Sequence, residues 1–157
     1  MGACKRSLNR RLKAGAWCLA LALLSACSGY ESAKLQVAQA RLQSEVAEER
    51  RLGAFALSEL GPRAAPAAPA LAELLGDKDA NVRFWSLRAL TEIGAPAAPA
   101  LIKGLRLPSR EQRKAVAEVL AGLGPEALPA VAAGKQDKDE RVRYWCEWVE
   151  KQAAGKR

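Results

Sequence analysis

Apolar residues return at helical spacing along most of the chain. Val82, Ser86, Ala89, Leu90 and Ile93 fall at i, i+4, i+7, i+8 and i+11, which keeps them on one face of an α-helix. Val142, Cys146 and Val149 mark the equivalent face of a later segment, and Leu35, Ala38, Leu42 and Val46 mark an earlier one. The earlier stripe fades at Glu49, yet no proline or glycine interrupts residues 32–52. That pattern predicts one long helix over residues 32–60, bent near Gly53, which caps the amino end of the remaining helices.

Beyond residue 50 the chain is periodic. Arg50, Arg83 and Arg113 each precede a glycine by eleven residues, at Gly61, Gly94 and Gly124, and RRLGAFALSELG, RFWSLRALTEIG and RKAVAEVLAGLG fill the intervals. Arg143 lies 30 residues beyond Arg113, so DKDANVRFW at 77–85 returns as DKDERVRYW at 137–145. After each glycine, GPRAAPA, GAPAAPA or GPEALPA leads into a short segment rich in alanine and leucine. The glycines predict helix ends, and Pro66, Pro99 and Pro129 predict helix starts, with Pro69 fitting the same first turn. Polar clusters at DKDAN, PSREQ and KQDKDER supply an Asp or Ser to cap the next helix. Neither helix of such a pair can cover its apolar stripe alone, and stacking the pairs covers them all.

The pattern G-x-x-A-x-P-A, a short helix, D-x-D-x-x-VR and a helix ending A-L-x-x-I-G resembles the HEAT-like repeat family, in the short-period branch first described in phycobilisome lyases. The resemblance runs over residues 50–153 and weakens at Leu107, where the motif has aspartate, and beyond Arg143. It implies an all-α fold: a right-handed α-solenoid of about three HEAT-like helix pairs over residues 61–157. The long helix 32–60 precedes them and contains a first half-repeat, and the second helices line one face. It also implies a structural ladder in which Asp77, Arg83, Arg113, Asp137 and Arg143 pair across neighbouring repeats.

The amino terminus has its own grammar. Lys5, Arg6, Arg10, Arg11 and Lys13 precede the uncharged run AGAWCLALALLSA, which is too short to span a bilayer and suits a secretory signal. Leu24, Ser25, Ala26 and Cys27 come next as LSAC, which resembles the lipobox of bacterial lipoproteins. That resemblance implies a signal peptide at 1–26, lipid on the thiol of Cys27, and a short tether at 27–31. Two or three acyl chains on Cys27 would anchor stably where one would not. The membrane is then a partner through that anchor, on the periplasmic side of a bacterial envelope. Ser28, not aspartate, follows the cysteine, which favours the outer membrane.

The leader changes the charge picture. The net charge of +8 includes five basic and no acidic residues ahead of Cys27, so +3 remains after it, too little to point to nucleic acid. Of four cysteines only Cys146 stays free, on a helical face with Val142 and Val149, where a packed and inert thiol is expected. There is no histidine, and no glycine-rich phosphate loop follows a strand pattern. DKDAN opens like a calcium loop but has Val82 and Arg88 where such a loop needs glycine and glutamate. No metal or cofactor is therefore expected, and no enzymatic activity.

Aromatics carry the remaining signal. Phe84 and Tyr144 share a register nearly opposite the apolar stripe, Trp148 lies beside Tyr144, and Arg88 and Glu147 are near enough to set the polarity. Aromatics turned away from a core anchor partners, so this face is expected to bind an envelope protein. A lyase-like or other enzyme-associated subunit, suggested by the repeat branch alone, and a structural spacer without a specific partner are the alternatives.

Overall fold

The computed structural model describes residues 32–154. The chain divides into two units, Met1–Gln36 and Val37–Arg157. Of the first, only 32–36 is described, as the opening of helix α1 over residues 32–42. The second unit continues with α2 Ala47–Leu60, α3 Ala68–Glu73, α4 Ala80–Ile93, α5 Ala98–Gly104, α6 Arg110–Gly122, α7 Leu128–Gly134 and α8 Glu140–Ala154. All regular structure among the described residues is helical. Short helices alternate with long ones: α3, α5 and α7 pack in one row, while α4, α6 and α8 each lie against the short helix before them. The result is an α-solenoid of HEAT-like helix pairs.

The apolar stripes meet in the seams between these rows. Leu57, Leu71, Leu90, Ile93, Leu101 and Leu120 are fully enclosed. Full burial of such a side chain is worth about 1.5–3 kcal/mol, so the seams, with no disulfide among the described residues, carry the fold.

Residues 32–60 depart from the expected single helix. They form two helices, α1 and α2, broken at residues 43–46 and uninterrupted through Gly53. The break has a local cause: the Ser44 hydroxyl accepts the amide of Val46, and the Nη1 group of Arg50 donates to the carbonyls of Ser44 and Glu45, at 2.9 Å each. Carbonyls held by a side chain are withdrawn from a helical ladder. Gly53 has another role than bending. A Cβ there would meet the Ala38 carbonyl oxygen at 2.8 Å and a Leu42 methyl at 3.1 Å, so the missing side chain lets α1 lie against α2. Ala38 and Leu42 are both 2% exposed. The supposed half-repeat is a full pair.

The change of period from 33 to 30 residues lies in one connection. Between α2 and α3 the chain runs a 3₁₀ stretch over Gly61–Ala67, whereas the corresponding links are Ala95–Ala97 and Pro125–Ala127. Pro66 therefore falls inside the 3₁₀ stretch, and Pro69 is the counterpart of Pro99 and Pro129 in the first turn of a short helix. Gly61, Gly94 and Gly124 stop the long helices with φ of 55°, 81° and 79°, a region that side chains resist. Asp79 caps α4 by accepting the amides of Asn81 and Val82, and Ser109 caps α6 through the amide of Gln112.

Candidate interaction surface

Four arginines recur at one register, and their geometry builds the surface. In each case Nη1 donates to the two carbonyls six and five residues earlier. Arg50 holds Ser44 and Glu45, Arg83 holds Asp77 and Lys78, Arg113 holds Leu107 and Pro108, and Arg143 holds Asp137 and Lys138. Each long helix thus clasps the loop that leads into it. This clasp uses Nη1, and at Arg50 it leaves Nε and Nη2 to face the next repeat.

Those remaining donors differ from repeat to repeat. Arg50 reaches Asp77 with both, Nε to Oδ2 at 2.7 Å and Nη2 to Oδ1 at 3.0 Å, a bidentate pair with side chains only 17% and 6% exposed. The hydrogen bond from Arg50, then the amide of Asp79, hold the Asp77 carboxyl below its ordinary range against a desolvation cost that pushes the other way. Arg83 shares a cleft with Leu107, which occupies the place Asp77 holds for Arg50, and among the described residues no carboxylate is hydrogen-bonded to its guanidinium. Arg113 has Asp137 ahead of it, but Asp137 is bound by Arg106 instead. Arg106 stands where the other repeats have Gln43, Gly76 and Gln136. The Nε of Arg113 is buried without an acceptor among the described residues. One cross-repeat rung of the ladder is closed and two are open.

Open rungs coincide with clefts. Whereas α2 lies along α4 and α8 along α6, α4 and α6 make no comparable contact. Between them is a cleft of about 290 Å³ lined by Arg83, Phe84, Leu87, Leu107 and Ala115 among others. Ala115 explains part of it, because the register place two residues after each clasp arginine holds Leu52, Trp85 and Trp145 in the other long helices. A second recess, lined by Arg110, Arg113, Glu140, Arg141, Tyr144 and Trp145, lies between α6 and α8.

The expected contact residues fall into this picture unevenly. Phe84 is 59% exposed on the wall of the α4–α6 cleft, and Tyr144 is 56% exposed on the α6–α8 side. Trp148 and Tyr144 line one hollow together with Lys114. Each exposed ring rests edge-on against a neighbouring tryptophan, Phe84 on Trp85 at 5.3 Å and Tyr144 on Trp145 at 5.4 Å, which fixes its orientation. Arg88 is engaged with Glu92 at 2.8 Å, Glu147 lies toward Lys135, and neither lines the α4–α6 cleft or the α6–α8 recesses. Phe55 joins this set without having been expected there: it stands edge-on to Trp85 at 4.8 Å and is 38% exposed. Its register is visible in the sequence, since Phe55 and Trp148 both sit five residues after a clasp arginine.

Cys146 is buried against α7, where a Cβ on Gly134 would lie 2.5 Å from its sulfur. Desolvation raises its thiol to about 11, so it stays protonated and unreactive at neutral pH. In DKDAN, Asp77 is taken by Arg50 and Asp79 by the amides of α4. Cys27 and the LSAC motif lie outside the described residues.

The helix pairs have counterparts among known proteins. A family model described as HEAT repeats matches residues 35–106, from within α1 to the loop after α5. No curated protein matches the chain. Among solved structures, the crystal structure of one engineered protein is 21% identical over 77% of this chain and 62% of its own, with a TM-score of 0.48. A second engineered protein is 20% identical over 76% of this chain and 37% of its own, with a TM-score of 0.47. The chain thus spans less than two thirds of either. Residues 35–106 are similar to HEAT repeats, and the described residues of the second unit form an α-solenoid built of such helix pairs.

Proposed function

We propose that this protein is a non-enzymatic interaction scaffold, moored through lipid on Cys27 to the periplasmic side of a bacterial outer membrane, which captures an envelope protein along the face of its long helices. The observation that carries the reading is the pair of exposed rings, Phe84 and Tyr144, each more than half exposed and each braced on a tryptophan. A large apolar ring costs free energy when left in water, and bracing it lowers the entropy lost when a partner covers it. The lipobox-like LSAC and the five-residue tether CSGYE support anchoring. Such a tether would hold the repeats close to the membrane.

Two measurements test this. Phe84→Ala with Tyr144→Ala is expected to weaken capture of the envelope partner by about tenfold or more while leaving the melting temperature nearly unchanged, as exposed contact residues do. Loss of folding with unchanged capture would assign these rings to the core. Mass spectrometry of the mature chain is expected to find residue 27 at the amino terminus carrying acyl chains, and an unmodified Cys27 would refute the anchor.

A further inference from the structure

Resting on that scaffold reading, we infer that the two open rungs of the arginine ladder are docking places for carboxylates of the partner. The bound segment is an acidic stretch of another protein laid across α6.

The closed rung serves as an internal template. With its Nη1 in the clasp, Arg50 binds a carboxylate with Nε and Nη2 at 2.7 and 3.0 Å. Arg83 and Arg113 carry the same clasp. Among the described residues neither receives a carboxylate, and the Nε of Arg113 is buried without an acceptor. A buried donor left unpaired is destabilising, and an incoming carboxylate would satisfy it. Arg83 lines the α4–α6 cleft and Arg113 the recess between α6 and α8, so the two places flank one helix.

Charge and shape select the occupant. Around the two clefts Arg83, Arg110, Arg113 and Lys114 outnumber Glu111 and Glu140, and Glu111 is tied to the Ser109 hydroxyl at 2.6 Å. Arg141, which also faces the recess, is already committed to Asp139. The walls are apolar, with Phe84, Leu87 and Leu107 on one side of α6 and Tyr144 and Trp145 on the other. The chain's own undescribed segments, 1–31 and 155–157, hold a single side-chain carboxylate, Glu31, so they cannot fill both rungs. Packed helices stand about 8–10 Å apart and α4 and α6 stand wider, while an extended chain advances about 3.3 Å per residue. The fitting segment is therefore extended, with acidic residues about three or four apart and apolar residues between and beside them.

The test closes the rungs without removing an arginine. Leu107→Asp supplies the carboxylate that Arg83 lacks, and Arg106→Ala releases Asp137 toward Arg113. A displayed library of random linear heptapeptides is selected on the full chain in detergent. Enriched peptides are expected to carry two acidic residues three or four apart among apolar ones. They should bind the Leu107→Asp, Arg106→Ala double variant about tenfold or more weakly, at an undiminished melting temperature. Arg110→Gln with Lys114→Gln, both at exposed positions, must weaken the same peptides, which covers the case of a double variant that fails to fold. Peptides lacking the acidic pair, equal binding to the double variant, or capture of single-stranded DNA in place of peptides would each overturn the inference. If the peptides behave as stated but no envelope protein is captured through Phe84 and Tyr144, the carboxylate site stands and the scaffold reading fails. Capture without acidic peptides gives the reverse.

Discussion

At the residue scale, the same side chain takes different work according to what its neighbour repeat provides. Arg50, Arg83 and Arg113 were legible in the sequence as one register, because their spacing to Gly61, Gly94 and Gly124 is invariant. Their pairing was not. Whether a ladder arginine finds its carboxylate depends on Leu107, which the sequence marks as a lost aspartate, and on Arg106, which looks unremarkable until the loops are folded against one another. Ser86 shows the same limit. Its place on the apolar stripe predicted burial, and it is wholly buried, but its hydroxyl has no hydrogen-bond partner among the described residues. A hydroxyl desolvated without compensation costs about 1–3 kcal/mol, so Ser86→Ala is expected to stabilise the fold by about 1 kcal/mol and raise the melting temperature. A lower melting temperature would show that the hydroxyl is satisfied in solution.

At the element scale, helix type was readable and helix junctions were not. Periodicity located α4, α6 and α8, and Asp79 and Ser109 cap where the polar clusters suggested. Residues 32–60 read as one helix because nothing in their composition breaks it. The interruption at 43–46 comes from Arg50 reaching back to two carbonyls, an interaction that a stripe of apolar letters does not encode. The Arg50–Asp77 rung joins α2 to the loop before α4, and its burial sets its importance. Asp77→Asn is expected to lower the melting temperature more than Asp137→Asn, since Asp137 pairs with Arg106, which is 48% exposed and well screened. The pH dependence comes from the direction of the shift. With its folded pKa depressed by Arg50, Asp77 contributes stability above the ordinary carboxylate range, about 4, and that stability is lost as pH falls through the depressed value. The difference between wild type and Asp77→Asn should accordingly shrink on acidification below pH ~4, as thermal melts would show. A gap that stays constant or widens would show that the rung contributes no stability.

At the scale of the whole molecule, the stack is continuous along its short helices and interrupted along its long ones. Repeat arrays are held by nearest-neighbour interfaces, and the α4–α6 junction lacks a ladder rung, an aromatic in the place held by Ala115, and close packing. Hydrogen exchange is expected to release the amides of α6 and α8 as a block before those of α2 and α4. Uniform protection would place the weak seam elsewhere. The same interruption supplies the cleft into which Phe84 opens, so the loosest junction underlies one half of the proposed binding face, while Tyr144 opens on the packed α6–α8 side.

Photocrosslinking in intact cells, from an amino acid bearing a photoreactive ring at position 84 or 144, tests the binding face itself, with position 92, where the ion pair with Arg88 is made, as the control. Positions 84 and 144 are expected to crosslink to one and the same envelope protein, position 92 is not, and Leu107→Asp with Arg106→Ala is expected to abolish the adduct. Adducts to lipid alone, or crosslinks equally strong from all three positions, would contradict a protein-binding role for this face.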